Sequence, residues 1–199
     1  MDWINLFHFP RRIYERLYSF CIARPSFGTC GKALNIKPSV SVTNPQYVFL
    51  GNYITINKNS VLLAIDEDRS GQSYSPHLEI GDHVYLGLQV HINCANYVKL
   101  GSGILVANNV HISDVNHGYK EIDSLPFDQP LQVGKVEIGE NTWIGQGAVI
   151  VGDVKIGKHC VIGANAVVSG HFEDFSVIVG VPARTVKRYH FQKKEWLKI

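Results

Sequence analysis

Aliphatic side chains at six-residue spacing restrict the fold of this chain more than any other feature. Ile138, Ile144, Ile150, Ile156, Ile162 and Val168 stand six apart, and Gly follows four of them as Gly139, Gly145, Gly157 and Gly163. The position four after each of the first five is compact too: Thr142, Ala148, Val154, Cys160 and Ala166. With aliphatics at about a fifth to a quarter of residues, such a run arises by chance about once in several thousand trials. The register recurs upstream in Ile80, Leu86 and Ile92, then in Leu100, Val106 and Ile112, and more weakly in Leu50, Ile56 and Leu62. Eight residues separate Ile92 from Leu100, so the phase resets near Asn93–Tyr97, and a polar segment from Asp66 to His77 interrupts the pattern.

A period of six suits neither an amphipathic helix nor an alternating strand. It suits a β-solenoid in which a short strand and a turn together use six residues and three such units close a triangular coil. The periodic aliphatic points inward, and the compact residue two positions before the next one occupies the tight corner. Coils stack at about 4.8 Å, the inter-strand spacing, and each buries its aliphatics only against its neighbours. The expected fold is all-β, a parallel β-helix of about five coils, above the roughly three that stability requires.

The expected organisation is an N-terminal cap segment at 1–47, the repeat domain at 48–189 and a short C-terminal helix at 190–199 bearing Trp196. Pro10 suits the first turn of a helix running to about Ala23, a piece that caps an open solenoid end. Residues 1–24 mix bulky apolar side chains with Arg11, Arg12 and Arg16, a composition that suits peripheral contact with a membrane surface. Those arginines and Glu15 stand where an export signal needs an apolar run, so cytoplasmic residence, with contact at the inner membrane face, is the expectation.

The 199 residues fit one domain, and 45% hydrophobic against 18% charged residues supports a real core. A net charge of +2 argues against a nucleic-acid binder. Cys21, Cys30, Cys94 and Cys160 lack CxxC spacing, so no zinc ribbon or redox motif is read, and no metal is expected.

These hexads resemble the hexapeptide-repeat acyltransferases, whose coils wind as a left-handed parallel β-helix; the handedness comes from that resemblance. Three motifs narrow it to the sugar O-acetyltransferases, namely the galactoside and maltose acetyltransferases and, more closely, those of bacterial polysaccharide biosynthesis. They are Ser113-Asp114-Val115-Asn116-His117-Gly118, which opens a loop near 113–135, then Asn141-Thr142-Trp143-Ile144-Gly145, then Val179-Gly180-Val181-Pro182-Ala183-Arg184-Thr185-Val186-Lys187-Arg188. The resemblance implies acetyl-CoA as acyl donor, a sugar, nucleotide-sugar or lipid-linked oligosaccharide as acceptor, and a homotrimer with the coenzyme between neighbouring prisms.

A hydroxyl needs a base to attack a thioester at neutral pH, and imidazole titrates in the right range. His117 begins the one long excursion from the solenoid, and long loops in compact domains are usually functional. The resemblance makes it the general base, with Asp114, Glu121 or a backbone carbonyl open as the group orienting the ring. Backbone N–H groups at a glycine-containing turn suit a developing oxyanion, and the resemblance, which sets the coil after Trp143 beside the pantetheine arm, points to Gly145 and Gln146. By resemblance Trp143 walls the pantetheine arm, Ala164 and Ser169 line it, and Arg184 and Lys187 meet the 3′-phosphate. Arg184, Lys187 and Arg188 form a basic cluster with no acid close in sequence. Two departures stand out. Gly170 replaces a lysine the family often carries, and the acid and amide that grip sugar in galactoside acetyltransferases fall near Ala95 and Gly87. His91, Asn93, Asn108 and Asn116, with His111, are the remaining acceptor-binding candidates. Alternatives kept in view are N-acetylation of an amino sugar, a serine-type acetyltransferase, a γ-carbonic-anhydrase-like zinc enzyme drawing on His83, His91, His111 and His117, and a non-catalytic β-helix scaffold.

Overall fold

The computed structural model describes residues 13–199. Most of its strands fall into three stacks that the chain visits in rotation, joined by parallel pairing between successive rungs. The first stack runs from Thr29–Cys30 through Val48–Leu50, His77–Ile80 and Tyr97–Leu100 to Lys135–Ile138. The second holds Asn35–Ile36, Thr55–Ile56, Tyr85–Leu86, Leu105–Val106, Trp143–Ile144, Val161–Ile162 and Ser176–Gly180. The third holds Ser41–Thr43, Val61–Ala64, His91–Cys94 and His111–Ser113. The longer strand Val149–Ile156 rounds a corner, so it pairs with the third stack through His111↔Val149 and with the first through Val136↔Val154.

The repeat explains this packing. Ile138, Ile144, Ile150, Ile156, Ile162 and Val168 each expose 2% or less of their surface, and Ala148, Val154, Cys160 and Ala166 are buried beside them. Two inward side chains per six residues, one large and one small, fill a narrow core without voids. The turns add a rule the aliphatic pattern did not reveal. The third residue after Leu100, Val106, Ile138, Ile156 and Ile162, among the periodic aliphatics of the first two stacks, takes left-handed backbone, from φ +52° at His159 through Asn109, Asn141 and Asn165 to +71° at Gly103. Asn and Gly tolerate that region best.

The stacking begins earlier and ends differently than the spacing predicts. Thr29–Cys30, Asn35–Ile36 and Ser41–Thr43 already pair as rungs, within the stretch expected to cap the solenoid. Ahead of them residues 13–26 are helical, and the Ser19 hydroxyl accepts the Ile36 N–H at 3.1 Å, tying this helix to the adjoining rung. Pro10, Arg11 and Arg12, and with them half of the proposed membrane-contact segment, lie outside the described residues. The C-terminal helix expected at 190–199 is absent: Ala183–His190 folds back antiparallel on Ser176–Gly180, and Glu195–Lys198 pairs antiparallel with it in turn. Alternation explains the correction. Tyr189, Phe191 and Trp196 pack edge to face with ring centroids 5.3–5.4 Å apart, as residues of one hairpin do.

Candidate functional site

Two excursions leave the prism and meet over the third stack. The first, residues 66–76, follows Val61–Ala64; the second, 114–134, follows His111–Ser113 and opens on a short antiparallel ribbon, Val115–Asn116 against Gln132–Val133. Between them lies a cleft of about 450 Å³ lined by Asn93, His111, Ser113, Asn116, His117 and Phe127, among others. His117 stands exposed at this cleft with its ring stacked on Phe127 at 6.0 Å between centroids and 22° between planes. Gly118 allows that placement. A Cβ there would lie 2.6 Å from both the Gln129 Cβ and the Pro130 carbonyl oxygen, so only glycine lets the two limbs of the loop close. Gln129, itself buried, cross-braces the loop by donating from Nε2 to the Glu121 and Ser124 carbonyls and accepting the Glu121 N–H.

Asp114 has a different task from orienting the imidazole. Fully buried, it accepts N–H bonds from Ala95 at 2.9 Å, Asn96 at 2.9 Å and Tyr97 at 2.7 Å. These are the residues where the hexad phase slips, so the carboxylate gathers the N–H groups that the extra residues would otherwise leave unpaired. Burial pushes its pKa above the ordinary carboxylate range, with the three backbone donors opposing that shift. Among the described residues, no carboxylate bonds the His117 ring.

The other acceptor-side candidates divide. Asn93, Asn116 and His111 face the cleft, and burial, then the neighbouring His91, lower the His111 pKa. A neutral imidazole of this kind both donates and accepts hydrogen bonds. His91 sits one rung away with its ring 6.5 Å from that of His111. Asn108 belongs elsewhere: its Oδ1 accepts the Leu88 N–H at 2.8 Å and pins a coil corner. His83 stacks on Tyr53 at 4.7 Å, away from this cleft.

The donor-side candidates lie largely on the second stack. Register places Thr55, Tyr85, Leu105, Trp143, Val161 and Val177 in one outward column, continued by Lys187. Trp143 is half exposed at 51%, and Lys187 lies three strands away, about 14 Å by inter-strand spacing. Arg184 pairs with Val179 on the same hairpin, and a side chain at Gly163, beside Ala164, would meet Val179. Trp143, Ala164, Arg184 and Lys187 thus border one elongated ledge. Gly145 flanks it, but its N–H already donates to the Ile162 carbonyl at 2.8 Å, so it is no free oxyanion donor. Ser169 lies on Val167–Phe172, which pairs with Val149–Ile156 rather than with the second stack. Arg188 is not unopposed: it forms a 2.7 Å ion pair with Glu173, an acid distant in sequence but adjacent across the fold.

In the sequence the first excursion is legible only as a polar interruption of the repeat. Asp68 accepts hydrogen bonds from Ser70 and Gln72 within its own turn and from the Tyr74 hydroxyl at 2.6 Å. Its other task is across the cleft, where the Leu131 N–H donates to Tyr74 at 2.9 Å and to Asp68 at 3.1 Å. Burial opposes the Asp68 charge, but the bonds from Ser70, Tyr74, Leu131 and Gln72 outweigh it and hold the carboxyl well below its usual range. Arg69 reaches over Phe127 at 4.9 Å from the ring centroid and lies 3.6 Å from Asp128. The available signal is a turn sequence, Asp66 to Gly71, dense in charge.

Comparison with known proteins follows the same lines. Residues 135–170 match the family described as bacterial transferase hexapeptide (six repeats). The chain is 36% identical over 124 residues to WbbJ of Escherichia coli, named as a lipopolysaccharide biosynthesis O-acetyl transferase, covering 59% of this chain and 63% of that one. It is 33% identical over 178 residues to a Mycobacterium tuberculosis protein named as an acetyltransferase, covering 87% of this chain and 56% of that one. The chain therefore spans 56–63% of the length of these relatives. Among solved structures, the N-acyltransferase AntD of Bacillus cereus with dTDP and coenzyme A aligns at TM-score 0.72 and 18% identity, covering 86% of this chain and 89% of that one. A galactoside acetyltransferase with coenzyme A aligns at TM-score 0.61 and 20% identity, covering 94% and 85%. At those identities the likeness is one of fold. The stacked rungs and the matched segment, residues 135–170, show that this chain carries the hexapeptide repeat described for the bacterial transferases.

Proposed function

We propose that the chain is an acetyl-CoA-dependent O-acetyltransferase acting on a sugar hydroxyl in the assembly of a surface polysaccharide. The observation that carries this reading is the exposed imidazole of His117 at a cleft that also presents Asn93, His111 and Asn116. Neutral hydrogen-bonding side chains beside a base suit a polyhydroxylated acceptor, with His117 removing the proton as the hydroxyl attacks the thioester carbon. The C–S bond breaks, coenzyme A leaves as the thiol after protonation, and no residue of the protein is acylated. Both Cys94 and Cys160 are buried, which fits an absence of covalent catalysis through them.

The ledge from Trp143 to Lys187 supports the donor assignment. Its apolar stretch suits a pantetheine arm, and Arg184 and Lys187 at its far end suit phosphate. Gln146, at the corner beside it, is the proposed oxyanion-side residue, with Ser169 a more distant contact. Within one chain the ledge and the His117 cleft occupy different stacks. A homotrimer of left-handed prisms, each ledge meeting a neighbour's cleft, resolves that separation. Exposed Tyr119, Ile122 and Leu125 on the second excursion support such an interface.

The test is thioester consumption with acetyl-CoA against sugars, nucleotide sugars, amino sugars and lipid-linked oligosaccharides. Wild-type protein should turn over a hydroxyl acceptor, and His117→Ala should lower that rate by about 10²–10⁴ while acetyl-CoA still binds. Full turnover by His117→Ala removes the base from the mechanism. Preferential turnover of an amino sugar replaces O- by N-acylation, the reaction named for AntD.

A further inference from the structure

The first excursion has no part in the mechanism above, yet it touches the surroundings of the proposed base in two places. We infer that Arg69 is a positioning residue, acting through Phe127 to hold the His117 ring at the cleft, and that Asp68 and Tyr74 form the clasp that keeps it there. The inference rests on the reading of His117 as the base.

Phe127 lies between two partners. The Arg69 guanidinium sits 4.9 Å from its centroid, within cation–π range, and the His117 ring is stacked on it at 6.0 Å. Phe127 is itself 56% exposed, so packing alone does not fix it, and its neighbouring rings and charges decide where it stands. Arg69 is steered in turn by Asp128, two atoms of opposite charge 3.6 Å apart on the two excursions.

The clasp supplies what a pair of exposed contacts lacks. Asp68 is bonded by Ser70, Gln72 and Tyr74, and together with Tyr74 it receives the Leu131 N–H of the opposite excursion. Residue 68 is thus joined to residue 131, and residue 69 to residues 127 and 128, so two adjacent positions on one loop grip both sides of the segment carrying Phe127. Since Gln129 braces that segment from within, movement at Arg69 or Asp68 is passed to the ring that backs His117.

An exposed cation–π contact holds a ring in place by a factor of roughly two to five. The experiment reads that factor directly, as the rate at which diethyl pyrocarbonate modifies His117 in the full chain, followed by peptide mass spectrometry. Arg69→Ala should raise this rate by about two- to fivefold, Phe127→Ala by at least as much, and Arg69→Lys should restore most of the protection. The double variant should be no faster than Phe127→Ala alone, because Arg69 acts only through that ring. Melting temperature, read in parallel, should be unchanged in Arg69→Ala, since that side chain is largely exposed. An Arg69→Ala rate equal to wild type, or effects of the two substitutions that simply multiply, overturns the inference. Turnover by His117→Ala separates the two readings: full activity there defeats the base assignment whatever the modification rates, whereas unaltered modification in Arg69→Ala with an inactive His117→Ala defeats only the positioning role.

Discussion

Replacing Asp114 with Asn tests the link between the repeat and the cleft. The carboxylate is fully buried and accepts three backbone N–H groups, from Ala95 to Oδ1 and from Asn96 and Tyr97 to Oδ2. An amide has one acceptor oxygen. Its best orientation turns that oxygen toward Asn96 and Tyr97, which leaves the Ala95 N–H facing an NH₂ group. One buried donor left unmet costs about 1–3 kcal/mol, and the two surviving bonds lose the advantage of a charged acceptor, about 1 kcal/mol each. The sum is about 3–5 kcal/mol, a large part of the stability of an ordinary domain. Urea unfolding at pH 7 reads it as a lowered midpoint with an unchanged slope. Asp114→Ala, which strands all three donors, should be at least as damaging. A loss below about 1 kcal/mol in Asp114→Asn would refute the argument that this side chain holds the phase slip together, and a loss of acyl transfer without loss of stability would return Asp114 to a role at His117.

Further expectations concern the loop and the thiols. Gly118→Ala must push apart the Gln129 and Pro130 limbs that lie 2.6 Å from the new methyl, so it should cost about 1–3 kcal/mol and impair transfer; near-wild-type melting and activity would show that the loop closes without glycine. At pH 8, iodoacetamide should label the exposed Cys21 and spare Cys94, whose thiol burial, and then the nearby Asp114 charge, push up to about 12. Because that folded-state value lies above the unfolded one, its contribution to stability is complete below the ordinary thiol range and is lost as pH rises toward 12. Alkaline unfolding midpoints should therefore fall across that window and fall less in Cys94→Ala; prompt native-state labelling of Cys94 would contradict its burial.

The inward face of the prism was readable from the spacing alone, because a six-residue rung leaves an aliphatic such as Ile144 or Ile162 only one buried direction. The phase slip at Asn93–Tyr97 was readable as a place but not as a structure, since its stabiliser, Asp114, lies on the next rung and no local rule pairs them. The C-terminal segment misled for a related reason: the aromatic residues Tyr189, Phe191 and Trp196 suit a helix face and a hairpin equally until their partners are known. At the site, Asn93 and His111, on neighbouring rungs, line the cleft, whereas His91 does not and Asn108 is held by a corner bond. Arg69 and Phe127 were invisible because their meeting depends on two irregular loops nearly sixty residues apart.

Both excursions depart from one stack and rejoin at rungs whose pairing they leave intact, Val48–Leu50 continuing to His77–Ile80 and Tyr97–Leu100 to Lys135–Ile138. Chain length can thus be gained or lost between rungs without disturbing the barrel of aliphatics beneath. Proteins built this way are free to exchange such loops as interchangeable inserts, while the scaffold that bears them stays constant.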